Sequence, residues 1–162
     1  MCSPMSDRAR AFELCRRAYE LQEAGDLDGA IRLYQASIAE CPTAEAHTFL
    51  GWTYSYQRRW DEAIAECKRA IACDPDFGNP YNDIGVYLME LGRDEEAVPW
   101  LERAAVARRY EPRHFPHINL ARIYERKGDI VAAVRELALA LKHVPEDDQL
   151  WVRFRRAQAK VN

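Results

Sequence analysis

The chain is expected to be all-α, a stack of helix–turn–helix repeats closed by one further helix. Three observations lead there. Ala30, Ala63, Ala97 and Ala133 recur at intervals of 33, 34 and 36 residues. Small residues at Ala18, Gly51, Gly85 and Ala121 recur at the same three intervals, and Pro42, Pro75, Pro112 and Pro145 at 33, 37 and 33. A unit of about 34 residues is two helices long; it cannot bury its apolar face alone and does so by stacking on its neighbours.

The landmarks divide the chain into repeats at residues 11–43, 44–77, 78–113 and 114–147, with a polar lead at 1–10 and a capping helix at 148–162. The small residues are placed where the two helices of a unit cross, since a larger side chain would push them beyond the usual separation of about 8–10 Å. Leu21, Tyr54, Leu88 and Tyr124 follow three residues later on the same face. Tyr34, Cys67, Leu101 and Leu137 supply the apolar contact from each second helix.

In the first repeat Phe12, Leu14, Ala18 and Leu21 form one helical stripe. The helix is expected to start near Ser6, a suitable N-cap. Gly25 ends it in the left-handed conformation. Asp26 and Asp28 then suit the positive end of the next helix dipole. The second repeat has Arg58 where the turn glycine is expected, so its turn should be costlier. Pro99 falls inside the second helix of repeat three, which predicts a late start or a local bend. The junction at 108–113 is about three residues too long for the period, and such insertions map to a loop on one face, often a binding face; an idle longer turn is the alternative. Beyond Pro145, Trp151 and Phe154 are expected to face back onto repeat four, with Arg153, Arg155, Arg156 and Lys160 toward water. Arg155 stands where the repeats keep a small residue, which marks a terminal cap.

The small–aromatic–Ala–Pro landmarks resemble the tetratricopeptide-repeat (TPR) family over roughly residues 11–147. The resemblance implies a right-handed α-solenoid whose first helices line a concave, peptide-binding side. The inward positions carried over one by one are Phe12, Cys15, Tyr19 and Gln22; then Glu45, Thr48, Phe49, Trp52 and Tyr56. Asn79, Asn82, Asp83, Val86 and Met89 follow from repeat three. Repeat four adds Phe115, Ile118, Asn119, Arg122 and Arg126, and the cap adds Arg153 and Arg156. Within these, Tyr19, Trp52 and Tyr56 make an aromatic wall, although the rings also suit packing between repeats. Asn79, Asn82 and Asn119 can each donate to and accept from an extended backbone. The clamp by which some TPR co-chaperones hold acidic chaperone tails needs two cations. Its matching positions here are Cys15, Tyr19, Phe49, Asn79 and Asp83, or one repeat later Thr48, Trp52, Asp83, Phe115 and Asn119. Neither set contains a cation, so that clamp is not expected.

Charge is unevenly shared. Residues 1–105 hold 11 Lys and Arg against 19 Asp and Glu; residues 106–162 hold 12 against 7. Arg113, Arg122, Arg126, Arg153 and Arg156 therefore suggest a cationic end to the groove, suited to carboxylates. The expected partner is a protein or peptide with an acidic end toward repeat four and an apolar part over Trp52. The same asymmetry permits a homo-oligomer built head to tail, or nucleic-acid binding through the basic half, which the acidic half opposes.

Nothing points to catalysis or a cofactor. There is no Gly-rich phosphate loop or nucleophile elbow. His114 and His117, with Glu111 nearby, lack a further metal ligand. Cys15 beside Arg16 and Arg17 invites a lowered thiol pKa but has no adjacent base. The chain lacks a run of about 18 apolar residues and an apolar leader in its first ten. Its five cysteines show no paired spacing, and Cys41 and Cys73 should lie too far apart to bridge. A reducing, cytoplasmic setting is expected. The expectation is a non-catalytic adaptor.

Overall fold

The computed structural model describes residues 5–161, with side chains from Asp7 onward. Nine helices follow one another among them: α1 (Met5–Glu23), α2 (Leu27–Glu40), α3 (Ala44–Tyr56), α4 (Trp60–Cys73), α5 (Asn79–Glu90), α6 (Asp94–Val106), α7 (His114–Lys127), α8 (Ile130–His143) and α9 (Asp148–Ala159). Four antiparallel pairs stack in chain order, and α9 packs on α8. The odd-numbered helices α1, α3, α5 and α7 also touch across repeats, whereas the even-numbered ones do not. The stack therefore closes on its odd-numbered side, the concave face of a solenoid.

Each second helix begins three residues before its landmark alanine, and Ala30, Ala63, Ala97 and Ala133 are all fully buried. Tyr34, Cys67, Leu101 and Leu137 are equally buried and centre the core. The crossing positions are as tight as the period requires: a Cβ on Gly85 would lie 2.4 Å from Leu101 Cδ2. The turn glycines Gly25, Gly92 and Gly128 sit at φ +85°, +72° and +78°. Arg58 takes their place at φ +58°, the left-handed region that costs an L residue about 1–2 kcal/mol. Asp26 caps α2 by accepting from Gly29 N–H at 2.9 Å.

Three local expectations change. α1 already includes Met5, so Ser6 lies inside its first turn and is not the N-cap. α6 begins at Asp94, in register with its counterparts, and accommodates Pro99 without a late start. Pro99 is solvent-exposed, so the Glu95 carbonyl that loses its donor faces water. Trp151 stays about one third exposed, its Nε1 donating to the Pro145 carbonyl at 2.9 Å, while Leu150 and Phe154 make the contact with repeat four.

The long 108–113 junction is neither idle nor open. Arg109 N–H donates to the Asp76 carbonyl at 2.9 Å and Gly78 N–H to the Arg109 carbonyl at 3.0 Å, a single parallel bridge. Tyr110 is buried against Gly78, where a Cβ would meet it at 2.4 Å. The Arg109 guanidinium adds Asp74 at 2.6 Å, Glu45 at 3.1 Å and the Phe77 ring at 4.3 Å. The extra residues staple two inter-repeat loops together.

Candidate partner-binding face

The aromatic end is built from α1 and α3. Phe49 sits at the centre, 5.7 Å from the Tyr19 ring, 6.1 Å from Tyr34 and 5.1 Å edge-on to Trp52. Such offset and edge contacts suit the ring quadrupoles. Tyr19 and Tyr56 remain 42% and 60% exposed, and Phe12 72%. A cavity of about 570 Å³ opens at Phe12, lined by Ala11, Phe12, Cys15, Pro42, Glu45 and Phe49 among others, with Tyr19 and Tyr56 outside its lining.

Trp52 is only partly exposed because its Nε1 donates to Asp83 Oδ2 at 2.6 Å across to α5. Burial raises the Asp83 carboxyl to about 7, against the hydrogen bonds from Trp52 and Asn82 that favour the ionised form. The side chain keeps a little accessible surface, but burial outweighs both bonds. Asn119 Nδ2 donates to Asn82 Oδ1 at 3.1 Å, and both asparagines are buried. Trp52, Asp83, Asn82 and Asn119 thus form a polar spine across α3, α5 and α7.

That spine changes the expected roles. Asn82 and Asn119 are buried and share one hydrogen bond, so each has part of its amide engaged within the fold. Met89 lies in the core. Gln22 is buried, accepting from Tyr34 Oη and Thr53 Oγ1, and Thr48 Oγ1 donates to its own helix at the Ala44 carbonyl. Asn79, at the start of α5, keeps partial exposure.

The arginines separate in the same way. Arg113 donates to the Ala105 and Arg108 carbonyls, and Arg126 pairs with Asp94 at 2.7 Å. Arg153 holds Glu125 through bonds of 3.3 and 2.7 Å. Arg122 and Arg156 are exposed, with no ion pair recorded among the described residues. Lys160, which the sequence places toward water but not among the inward positions, is one turn beyond Arg156; its signal is its register with Tyr56 and Arg126.

The other candidate chemistries resolve into packing. His117 Nδ1 lies 2.7 Å from Glu136 and its ring stacks on His143, while the His114 ring lies tilted at 42° against Phe115. Among the described residues no three His, Cys, Asp or Glu come together as a metal site. Burial, with Glu45 nearby, pushes the Cys15 thiol up, opposite to the shift its arginine neighbours suggested. Cys15, Cys67 and Cys73 are free thiols. Cys41 is disulfide-bonded, which the spacing argument missed because it weighed Cys73 alone as a partner. No helix among the described residues is long and apolar enough to cross a membrane.

Comparison with known proteins agrees with this architecture. Models described as "Tetratricopeptide repeat" match residues 15–76 and 81–109. Small glutamine-rich tetratricopeptide repeat-containing protein 2 of Mycosarcoma maydis is 31% identical over 93 residues, which is 57% of this chain and 26% of that protein. The chain thus spans about a quarter of the length of that curated relative. Among solved structures, Pseudomonas aeruginosa pilF superposes with a TM-score of 0.85 at 18% identity, over 96% of this chain and 70% of its own. YrrB, "a TPR protein with an unusual peptide-binding site", gives 0.71 at 18% identity, over 93% and 77%. At such identities these two structures speak to the fold alone. With the family models covering more than half of the residues, and helix pairs in the matching register, the chain belongs to the tetratricopeptide-repeat family.

Proposed function

We propose that this protein is a non-catalytic adaptor that holds an extended segment of a partner protein on its concave face. The observation that carries the reading is an α1–α3 cavity lined by the exposed Phe12 and by Phe49, with Tyr19 and Tyr56 exposed further along the same two helices. Tyrosine is among the side chains that dominate binding energy at interfaces. The peptide-binding site named for YrrB supports the same use of this fold. The positions of a chaperone-tail clamp hold Cys15, Tyr19, Phe49, Asn79 and Asp83, so a ligand of that kind would find no cation there.

The test is capture of native partners by the full chain, compared with a Tyr19→Ala/Tyr56→Ala variant. Both side chains are exposed, so helicity by circular dichroism should be unchanged while capture is lost. Undiminished capture places the interface on another surface. Cytoplasmic residence is part of the proposal, and the Cys41 disulfide bears against it. The mass of alkylated protein isolated from cells without reductant decides: a fully alkylated chain supports a reducing compartment, and an unalkylated pair refutes it.

A further inference from the structure

Two ridges run along the odd-numbered helices. One carries Tyr19, Trp52, Val86 and Arg122 and ends in register on Arg156; the other carries Glu23, Tyr56, Glu90 and Arg126 and ends on Lys160. The first has two aromatic side chains before its cations; the second has one, Tyr56, between Glu23 and Glu90, and both end in cations. At α9 they reach a cavity of about 350 Å³ lined by Glu125, Ile130, Arg153, Arg156, Ala157 and Lys160. Arg153 is held by Glu125 and forms a fixed wall. Arg156 and Lys160, four residues apart, have no recorded counter-ion among the described residues and repel one another. The α9 dipole favours cations in its last turn, but it does not explain why they converge on a cavity. Ile130 adds the first turn of α8 to the lining. That turn contains no acidic residue, whereas α2, α4 and α6 carry Asp28, Asp61 and Asp94 there.

We propose that Arg156 and Lys160 seat paired carboxylates from an acidic segment of a partner protein, fixing the direction in which it lies along the face. This rests on the adaptor reading above and adds polarity to it: acidic end at the cap, apolar end at the α1–α3 cavity. Inner helices about 10 Å apart put these ends roughly 30 Å apart, a span of about ten extended residues. Charge complementarity favours a foreign segment over a second copy of the chain. Many acidic side chains of the first half are already engaged: Glu13 and Glu20 with Arg16, Glu62 with Arg59, Glu96 with Arg93, and Glu45 and Asp74 with Arg109.

The experiment is a titration of the ¹⁵N-labelled full chain with tetraglutamate, followed by NMR. Saturable shifts are expected at the Arg156 Nε–H and the Lys160 and Ala157 amides. Arg156→Ala should weaken binding about tenfold, and Arg156→Ala/Lys160→Ala should abolish the shifts with circular dichroism unchanged. Arg156→Lys/Lys160→Arg should retain them. The absence of saturable shifts, an equal response to tetraglutamine, or shifts centred on Arg122 and Arg126 would each overturn the seat. Equal saturation by inorganic phosphate would overturn its assignment to carboxylates. Shifts at the same residues on concentrating the chain without peptide would assign the seat to a second copy and overturn the proposal. Tyr19→Ala/Tyr56→Ala should leave this titration intact, so loss of the groove reading and loss of the seat are read separately.

Discussion

The two ends of the inner face hold their exposed side chains in opposite ways. At the aromatic end, Trp52 is wall and strut at once: it packs on Phe49 and donates to Asp83 on the next repeat. At the basic end, Arg122 and Arg156 reach into water with no ion pair among the described residues. Changes at Trp52 should remove structure along with any contact surface, and changes at Arg122 or Arg156 should remove charge alone. The largest test is Trp52→Ala. It deletes a partly buried indole and leaves the Asp83 carboxyl with Asn82 as its remaining donor, so a loss of about 3 kcal/mol is expected in urea unfolding. A loss below about 1 kcal/mol would break the distinction.

Asp83 sharpens the same contrast through pH. Its carboxyl ionises near 3.9 in the unfolded chain and at about 7 in the fold. Between these values the folded state keeps a proton that the unfolded state has released. Its contribution to stability is therefore complete below about pH 4 and is lost as pH rises through 7, at roughly 1 kcal/mol per pH unit. Asp83→Asn keeps the shape and removes the titration. The difference in urea midpoint between variant and parent should widen in favour of the variant from pH 4 to pH 7 and then level off. A difference that does not vary with pH would mean that the carboxyl is ionised throughout.

Arg58→Gly addresses the α3–α4 turn, where the aromatic half lacks the glycine that Gly128 provides in the basic half. Relief of the left-handed strain, less the extra unfolded-chain freedom of glycine, should stabilise by about 0.5–1 kcal/mol. The sequence showed this strain because a turn position is set by the backbone and recurs with the period. The crossing residues were legible for the same reason: Gly85 against Leu101 is a steric demand that any repeat must meet. Side-chain partners were not. Asn82 and Asn119 were correctly assigned to the inner helices, yet their mutual bond joins residues in different repeats. Arg126 and Arg153 likewise take carboxylates 32 and 28 residues away. Register says which face a residue is on; it does not say which neighbour on that face reaches it first. The loop at 108–113 hid its bridge because its backbone bonds depend on the loop beside it.

Arg122→Ala should have the smallest effect of the set on stability. The side chain is exposed, and no ion pair or hydrogen bond is recorded for it among the described residues. Surface changes away from such features usually fall within about 0.5 kcal/mol, and the urea midpoint should move no further than that. Arg126→Ala is the matched control, one turn away on the same helix: it releases Asp94, the first residue of α6, from a 2.7 Å pair. Because that pair is surface-exposed, it too should cost no more than about 1 kcal/mol, and less in high salt. The informative quantity is the salt dependence. Arg126→Ala should lose part of its cost between low and high salt, while Arg122→Ala should show no such change. If Arg122→Ala instead destabilises by more than its neighbour, that arginine is a structural member like Trp52, and the two ends of the face are built alike.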